Sequence, residues 1–241
     1  MNEPSPLTTI PDDRSERWTL LQDLVNQWYP VLKAADGVSA DDLDTAETRL
    51  GVTMPRAFRE WYSIAGLRTD IWSQQDRLLH PSEFKLVDNY LLFMVENQHV
   101  VGWAICVDDG VLDDPPVYMS SADTPNLWHG ATNTVSEFAL QLLVSCLKWS
   151  DTCRWWANGY APVDTLDQLA SHYPRLPLAE WHWPLPTRFY GLRDIIVEVQ
   201  LEEDGVWLYV VAHTADSTKA CKQLLGADIE WHSQSDDWSS A

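Results

Sequence analysis

Apolar residues in the first part of the chain recur at helical spacing. The pattern predicts three amphipathic helices, which lie within residues 18–28, 39–51 and 55–66. Pro30, Gly51 and Gly66 follow the apolar faces and are typical of helix ends. Ser39 with Asp42 can cap the second helix. Pro55 suits the first turn of the third helix, which carries Trp61 on its apolar stripe.

The middle of the chain changes to the period of β-strands. Runs rich in β-branched and aromatic residues lie at 90–95, 100–107 and 117–119. Glu96-Asn97-Gln98 and a loop from Asp108 to Pro116 divide these runs, so we predict an antiparallel meander. A capping box of Thr134 and Glu137 then predicts a helix to about Trp149, with an apolar face wide enough to cover the sheet.

The last third of the chain is harder to interpret because tryptophan and proline are mixed. We expect residues 150–186 to form a connection with a short helix near 165–172. Alternation at 195–201 and 206–212 then predicts a hairpin, which a helix and a short strand follow. We expect this ββαβ appendage, residues 187–233, to pack on a main domain of residues 16–149. The polar ends, residues 1–15 and 234–241, are expected to be flexible tails.

The order of these elements predicts an α+β fold. In it, a helical layer packs on a mostly antiparallel sheet, and the C-terminal appendage completes the chain. With 241 residues and 45% apolar residues, the chain is long enough to bury a substantial core.

The formal net charge of −20 limits the classes of partner. Such a charge repels nucleic acid and anionic lipid, so direct nucleic-acid binding and membrane binding are disfavoured. Two interpretations stay open: the charge provides solubility, or it steers a basic protein partner to the surface.

The sequence also bears on location and on cysteine chemistry. There is no apolar run long enough to span a bilayer and no basic, apolar leader at the start, so we expect a cytoplasmic protein. Cys106, Cys146, Cys153 and Cys221 lack metal-binding spacing and lie in apolar or helical stretches. They are therefore predicted to be reduced, mostly buried thiols.

The Gly-rich phosphate-binding strings, H-E-x-x-H and G-x-S-x-G are absent, and Ser82 to Lys85 fits S-x-x-K without the partner strings S-D-N and K-T-G. The acidic run at 108–114 lacks the alternate spacing and the closing glutamate of an EF-hand loop, so a solvated turn is the better interpretation. We predict no catalytic residues, no metal site and no cofactor. A hydrolase with an unrecognised site remains an alternative.

Several short motifs, in order, resemble those of a known family. They comprise Gly51 to Pro55, Phe58 to Tyr62, Gly66, Glu96-Asn97-Gln98 before Trp103, Asp114-Pro115-Pro116-Val117, and a closing helix with Ser136, Glu137, Phe138 and Leu142. Over residues 16–149 this order resembles the SUKH superfamily, which includes the fungal cell-wall assembly regulator. Within the motifs, nine positions are expected to be structural: Gly51, Pro55, Trp61, Gly66, Glu96, Asn97, Gln98, Pro115 and Pro116.

The resemblance implies a role in binding other proteins. Bacterial members of the superfamily look like immunity proteins that neutralise polymorphic toxins, often nucleases or deaminases. It therefore favours an immunity protein for a basic toxin domain, and the alternative is a housekeeping regulator or scaffold that has no toxin partner. The oligomeric state stays open.

The expected partner-binding surface combines charge with aromatic residues, because interfaces need apolar anchors inside a polar rim. We predict that a loop stiffened by Pro115 and Pro116 presents four carboxylates beside one or two indole rings. The candidates are Asp108, Asp109, Asp113, Asp114, Trp103 and Trp128.

Overall fold

The computed structural model describes residues 3–125, 127–179, 183–225 and 229–233, and it confirms the α+β fold. Two compact units share the chain. The N-terminal unit is residues 11–149, whereas the C-terminal unit joins residues up to Ile10 to those from Ser150 onward. The predicted tail at 234–241 lies outside the described residues.

The α-helices are divided between the two units. The N-terminal unit contains α1 (Arg14–Trp28), α2 (Ala40–Leu50), α3 (Arg56–Ala65), α4 (Thr69–Trp72) and α5 (Val135–Cys146), and the C-terminal unit contains α6 (Thr165–His172) and α7 (Ala215–Leu225). The first three predicted helices and the helix after Thr134 are confirmed. Short 3-10 helices lie at Pro6–Thr8, Ala34–Asp36, Pro81–Glu83, Val107–Val111 and Leu147–Trp149.

The sheet of the N-terminal unit is antiparallel throughout. Its strands are β1 (Arg77–Leu78), β2 (Lys85–Val87), β3 (Tyr90–Val95), β4 (Val101–Cys106), β5 (Val117–Ser121) and β6 (His129–Thr132). β3, β4, β5 and β6 are neighbours in that order, and both β1 and β2 pair with the free side of β3. The predicted meander is thus confirmed, and β1, β2 and β6 extend it.

Local sequence explains where the helices begin and end. The Asp13 carboxylate accepts hydrogen bonds from the backbone N–H groups of Ser15 and Glu16, so α1 starts earlier than its apolar face indicates. The Ser39 hydroxyl accepts the Asp42 N–H at the start of α2. Gly51 closes α2 at φ 67°, in the left-handed region that glycine tolerates without steric cost.

Aromatic packing joins the helical layer to one face of this sheet. Trp61 of α3 is fully buried, and its ring lies 5.8 Å from Phe93 of β3 and 6.0 Å from Phe138 of α5. Phe58, one turn before Trp61, lies 5.2 Å from Phe93. Ring pairs at these separations contribute about 0.5–1.5 kcal/mol each beyond the burial of their area.

The C-terminal unit has its own antiparallel sheet and core. Its strands are β7 (Trp155–Ala161), β8 (Thr187–Leu192), β9 (Ile195–Leu201), β10 (Val206–Ala212) and β11 (Glu230–Ser233), paired in the order β11-β7-β10-β9-β8. One face is apolar and packs with Leu169 and Tyr173, at α6, and with Cys221 of α7. The predicted hairpin is β9 and β10, whose register pairs Val206 with Leu201.

Two expectations about the chain's organisation are wrong. Residues 150–186 are more than a connection, because they supply β7, which pairs with both β10 and β11. The predicted ββαβ appendage is therefore only part of a larger sheet. At the other end, Leu7 is fully buried and Pro4 forms a bridge with Leu192, so the described residues before Arg14 are not a free tail. Side-chain patterns did not indicate these contacts, since several of them are made by backbone groups.

Cysteine and membrane features also follow from the fold. Cys146, Cys153 and Cys221 are buried, as predicted, whereas Cys106 is half-buried. Within the described ranges, no helix combines the length and the apolar character needed to cross a membrane.

A close backbone approach gives the first prediction. A Cβ at Gly37 would overlap the carbonyl oxygen of Ser63, and Val38 N–H donates to the Tyr62 carbonyl beside it. We expect Gly37→Ala to lower the free energy of unfolding by about 1–3 kcal/mol, because backbone must move to make room. Urea denaturation measures this change. Gly130→Ala is the control, since nothing lies near its added Cβ, and equal loss in both variants would contradict the packing argument.

Candidate functional site

The outer face of the N-terminal sheet, opposite the helical layer, has a strip of small residues along β4. Gly102, Ala104 and Cys106 alternate with the inward-facing Trp103 and Ile105. The register pairs Cys106 with Tyr90 on β3, and Ala104 with Tyr118 on β5. Side chains from both neighbouring strands can therefore lean over β4, and Ala104 is fully buried beneath them.

Three aromatic rings meet over this strip. Trp128, just before β6, stacks on Tyr90 with ring centroids 4.5 Å apart and planes 18° apart. Tyr118 lies edge-on to Tyr90 at 5.3 Å. All three side chains are half-buried, so they pack on the sheet and still reach the surface. They form an apolar platform of limited area on an otherwise acidic protein.

Two carboxylates border these rings. The 3-10 helix Val107–Val111 directly follows β4, so Asp108 and Asp109 lie beside Tyr90 and Tyr118. The Asn89 amide donates to Asp108 Oδ2 at 2.7 Å, and the Tyr118 hydroxyl donates to Asp109 Oδ2 at 3.2 Å. We call Tyr90, Asp108, Asp109, Tyr118 and Trp128 the acidic–aromatic face.

The two carboxylates of this face have no ion-pair partner among the residues that the structure describes. The hydrogen bonds that they accept from described side chains come from neutral groups, an amide and a phenol. Burial, then the nearby Cys106, Asp109 and Asp108 groups, raise the pKa of Tyr90. Burial, then Asp109, raise the pKa of Tyr118. The negative potential at the rings is therefore uncompensated.

The other half of the acidic loop has a structural role. The Asp114 side chain is 11% exposed and accepts hydrogen bonds from the Ser136 backbone N–H and hydroxyl, at the first turn of α5. It also lies 3.6 Å from Arg17 of α1. The Asp113 carbonyl accepts the Ala57 N–H of α3, and its carboxylate lies 3.4 Å from Arg14. The prediction that all four carboxylates are displayed for a partner is wrong for Asp114.

The two tryptophan candidates lie in different environments. Trp103 is 1% exposed and belongs to the core, so the prediction that it contacts a partner is wrong. Strand alternation contained that information, because Trp103 is in phase with Ile105. Trp128 lies on the outer face, where we expected an anchor. Tyr90 and Tyr118 were missed, although they are out of phase with the buried Leu91 and Val117.

The motif residues of the helical region occupy structural positions. Pro55 precedes α3, and Trp61 is in the core. Gly66 follows α3, and its N–H donates to the Tyr62 carbonyl. Pro115 is buried and Pro116 is half-buried, at the end of the loop before β5.

The Glu96-Asn97-Gln98 motif forms the turn between β3 and β4. The buried Glu96 carboxylate accepts the N–H groups of Gln98 at 2.7 Å and Val100 at 3.2 Å. Asp76 lies near it: burial, then the Glu96 charge, raise the pKa of Asp76 to about 6, against a hydrogen bond from Asn97 and the charge of Lys148. These carboxyl groups shape a turn before β4, whereas the acidic–aromatic face takes its aspartates from the segment after β4.

The acidic groups do not assemble a metal site in the part of the chain that the structure describes. No three His, Cys, Asp or Glu side chains of that part come together in an arrangement that could hold a metal ion.

The adjacent aspartates of the loop give a matched pair of predictions. Asp114→Ala removes the acceptor for Ser136 and a partner of the buried Arg17, so we expect a loss of about 2–3 kcal/mol in unfolding free energy. Asp113→Ala removes a side chain that is 71% exposed, and we expect a change within about 0.5 kcal/mol. Urea denaturation compares them, and similar losses would refute the structural assignment of Asp114.

Asp76 gives a prediction on pH. Because its folded pKa is raised to about 6 from 3.8, the folded state keeps a proton that the unfolded state loses. The contribution of Asp76 to the free energy of unfolding is therefore fully present below about pH 4, and it is lost as the pH rises through 6. Asp76→Asn should flatten that fall and stabilise the protein by about 1–2 kcal/mol at neutral pH, a value reduced for partial exposure.

The measurement is the urea midpoint of both proteins from about pH 4 to about pH 7. Asp23→Asn, at an exposed position in α1, controls for the loss of one negative charge. A parallel pH profile of Asp76→Asn and the unmodified protein would rule out a contribution from Asp76.

Comparison with known proteins gives no assignment: no family model, no curated protein and no solved structure matches the chain. The kind of partner must therefore be inferred from the side chains of the acidic–aromatic face. These are planar apolar rings beside carboxylates that have no described cationic partner.

Proposed function

We propose that this chain is a non-catalytic protein-binding module whose acidic–aromatic face binds a basic protein domain. One observation carries the proposal: Asp108 and Asp109 lack a described cationic partner and border three half-exposed rings. Aromatic residues are enriched at interface cores, and charged groups at the rim set specificity and association rate.

The overall charge supports the same kind of partner. A net charge of −20 attracts a basic domain over a distance set by ionic strength, and the uncompensated carboxylates give that attraction a local focus. The rings supply what charge alone does not, because apolar burial slows dissociation. The exposed Leu112, between Asp109 and Asp113 in the chain, adds apolar surface.

The resemblance to the SUKH superfamily narrows the proposal to an immunity protein. The partner would be a nuclease-like toxin domain, since a groove that binds nucleic acid is rich in lysine and arginine. An acidic protein seated on that groove would block it without any chemistry of its own. The alternative is a housekeeping regulator of the same superfamily, and the two roles differ in the partners that they require.

Co-expression with the toxin domains encoded beside this chain tests the proposal. We expect one toxin to be neutralised and to form a complex whose affinity falls with added salt. A regulator without a toxin partner would neutralise none of them and would bind several cellular proteins weakly.

Charge removal at the acidic–aromatic face gives a sharper prediction. Asp108→Asn with Asp109→Asn keeps an oxygen acceptor for Asn89 and Tyr118 but removes two charges. We expect association with the neutralised toxin to slow roughly threefold to tenfold at low ionic strength, with a weaker salt dependence. Stopped-flow or surface-based kinetics measures the rates.

The control variant carries Asp12→Asn and Asp23→Asn, which remove the same charge at exposed positions around α1. Equal slowing in both variants would mean that only net charge matters, and it would contradict a binding role for the acidic–aromatic face.

A further inference from the structure

We propose that the acidic–aromatic face captures an arginine side chain of its partner, which stacks on Trp128 while pairing with Asp108 or Asp109. The inference rests on the proposed function, because it names the chemical group through which a basic partner is held. It depends on two features of the face: ring surface and uncompensated charge.

The ring surface is suited to a cation. Trp128 stacks on Tyr90, so one side of the indole is used by that stack, and the half-buried side chain still has accessible surface. Indole is the best of the aromatic side chains for holding a cation over its face. The three rings pack on each other and are half-buried, so little conformational freedom is lost on binding.

The carboxylates have unused capacity. An ionised carboxylate offers about four lone-pair sites, and Asp108 and Asp109 each accept one hydrogen bond from a described neutral side chain. By contrast, Asp113 and Asp114 lie against Arg14 and Arg17, so the protein already uses arginine to satisfy the other half of this loop. A guanidinium of the partner would compensate the charge of Asp108 or Asp109, which no described cation pairs with.

The indole N–H of Trp128 provides a signal by which binding at the ring can be followed. Trp128 Nε1 is buried and has no acceptor among the described residues. This nitrogen is closed to solvent, so it does not contact the partner directly, but its N–H signal responds to a change at the ring.

Arginine fits these features better than lysine. Its guanidinium is planar and weakly hydrated, so it can stack on a ring and donate two parallel hydrogen bonds to a carboxylate at once. A lysine ammonium is a compact, strongly hydrated point charge that loses more hydration in the same place. A second copy of this chain is a poor occupant, because two proteins of charge −20 repel each other.

Titration of the full chain with oligoarginine and with oligolysine of equal length tests the inference without any toxin. The indole N–H signals of the protein are followed by NMR, and the Trp128 signal is identified by its loss in Trp128→Phe. We expect oligoarginine to shift this signal at a concentration roughly threefold or more below that of oligolysine. Equal effects of the two peptides, or shifts confined to other indoles, would overturn the inference.

Two variants test separately how the Trp128 ring and the two carboxylates contribute to peptide binding. Trp128→Leu should weaken oligoarginine binding roughly twofold to fivefold, the range expected from a partly exposed cation–π contact. Asp108→Asn with Asp109→Asn should reduce the difference between the two peptides. Trp156→Leu is the matched control: Trp156 is a half-buried indole of the C-terminal unit that stacks on His232, and its loss should leave peptide binding unchanged. Weakening by the control equal to that by Trp128→Leu would count against the site.

The outcomes also separate this inference from the proposed function. Arginine-selective binding at Trp128 without any neutralised toxin would support the inference and refute the immunity role. A neutralised toxin whose binding is unaffected by Trp128→Leu would support the immunity role and refute arginine capture at this face.

Discussion

The packing of aromatic side chains against one face of the N-terminal sheet is the constraint on which the rest of that unit depends. Trp61 and Phe138 come from two helices and meet Phe93 of β3, so the inward residues of the sheet are committed to the core. Strand alternation then places Tyr90 and Tyr118 on the opposite face. The rings of the acidic–aromatic face thus follow from the core: β3 buries Phe93 and β5 buries Val117, so Tyr90 and Tyr118, which are out of phase with them, point outward.

The acidic loop has two halves that differ in whether their charges are compensated. Asp113 and Asp114 face the helical layer, where Arg14, Arg17 and the start of α5 satisfy them. Asp108 and Asp109 lie at the end of β4, where the described side chains that donate to them are neutral. Burying an unpaired charge is costly, so Asp114, which is nearly buried, needs a cationic partner, whereas the exposed Asp108 and the half-buried Asp109 are tolerated without one among the described residues.

The C-terminal unit shows how a sheet can be assembled from distant parts of a sequence. β7 comes from a segment rich in tryptophan and proline, yet it lies between β11 and β10 and contributes Trp155 and Ala157 to the core of the unit. The first described residues of the chain join this unit through Pro4 and Leu192, and Leu7 is fully buried. Such pairings are made by backbone hydrogen bonds, which side-chain patterns do not encode.

The sequence by itself determined the α+β class, the first three helices with their caps, the meander and the final hairpin, because each depends on local periodicity or on a residue such as Ser39 or Gly51. It also located the acidic loop and Trp128. Only the tertiary structure decided which members of the candidate site are available: Trp103 went to the core, Asp114 was paired with Arg17, and Tyr90 and Tyr118 joined Trp128 over β4. The physical reason is that exposure and charge compensation depend on neighbours from other elements, which are distant in the chain and adjacent only after folding.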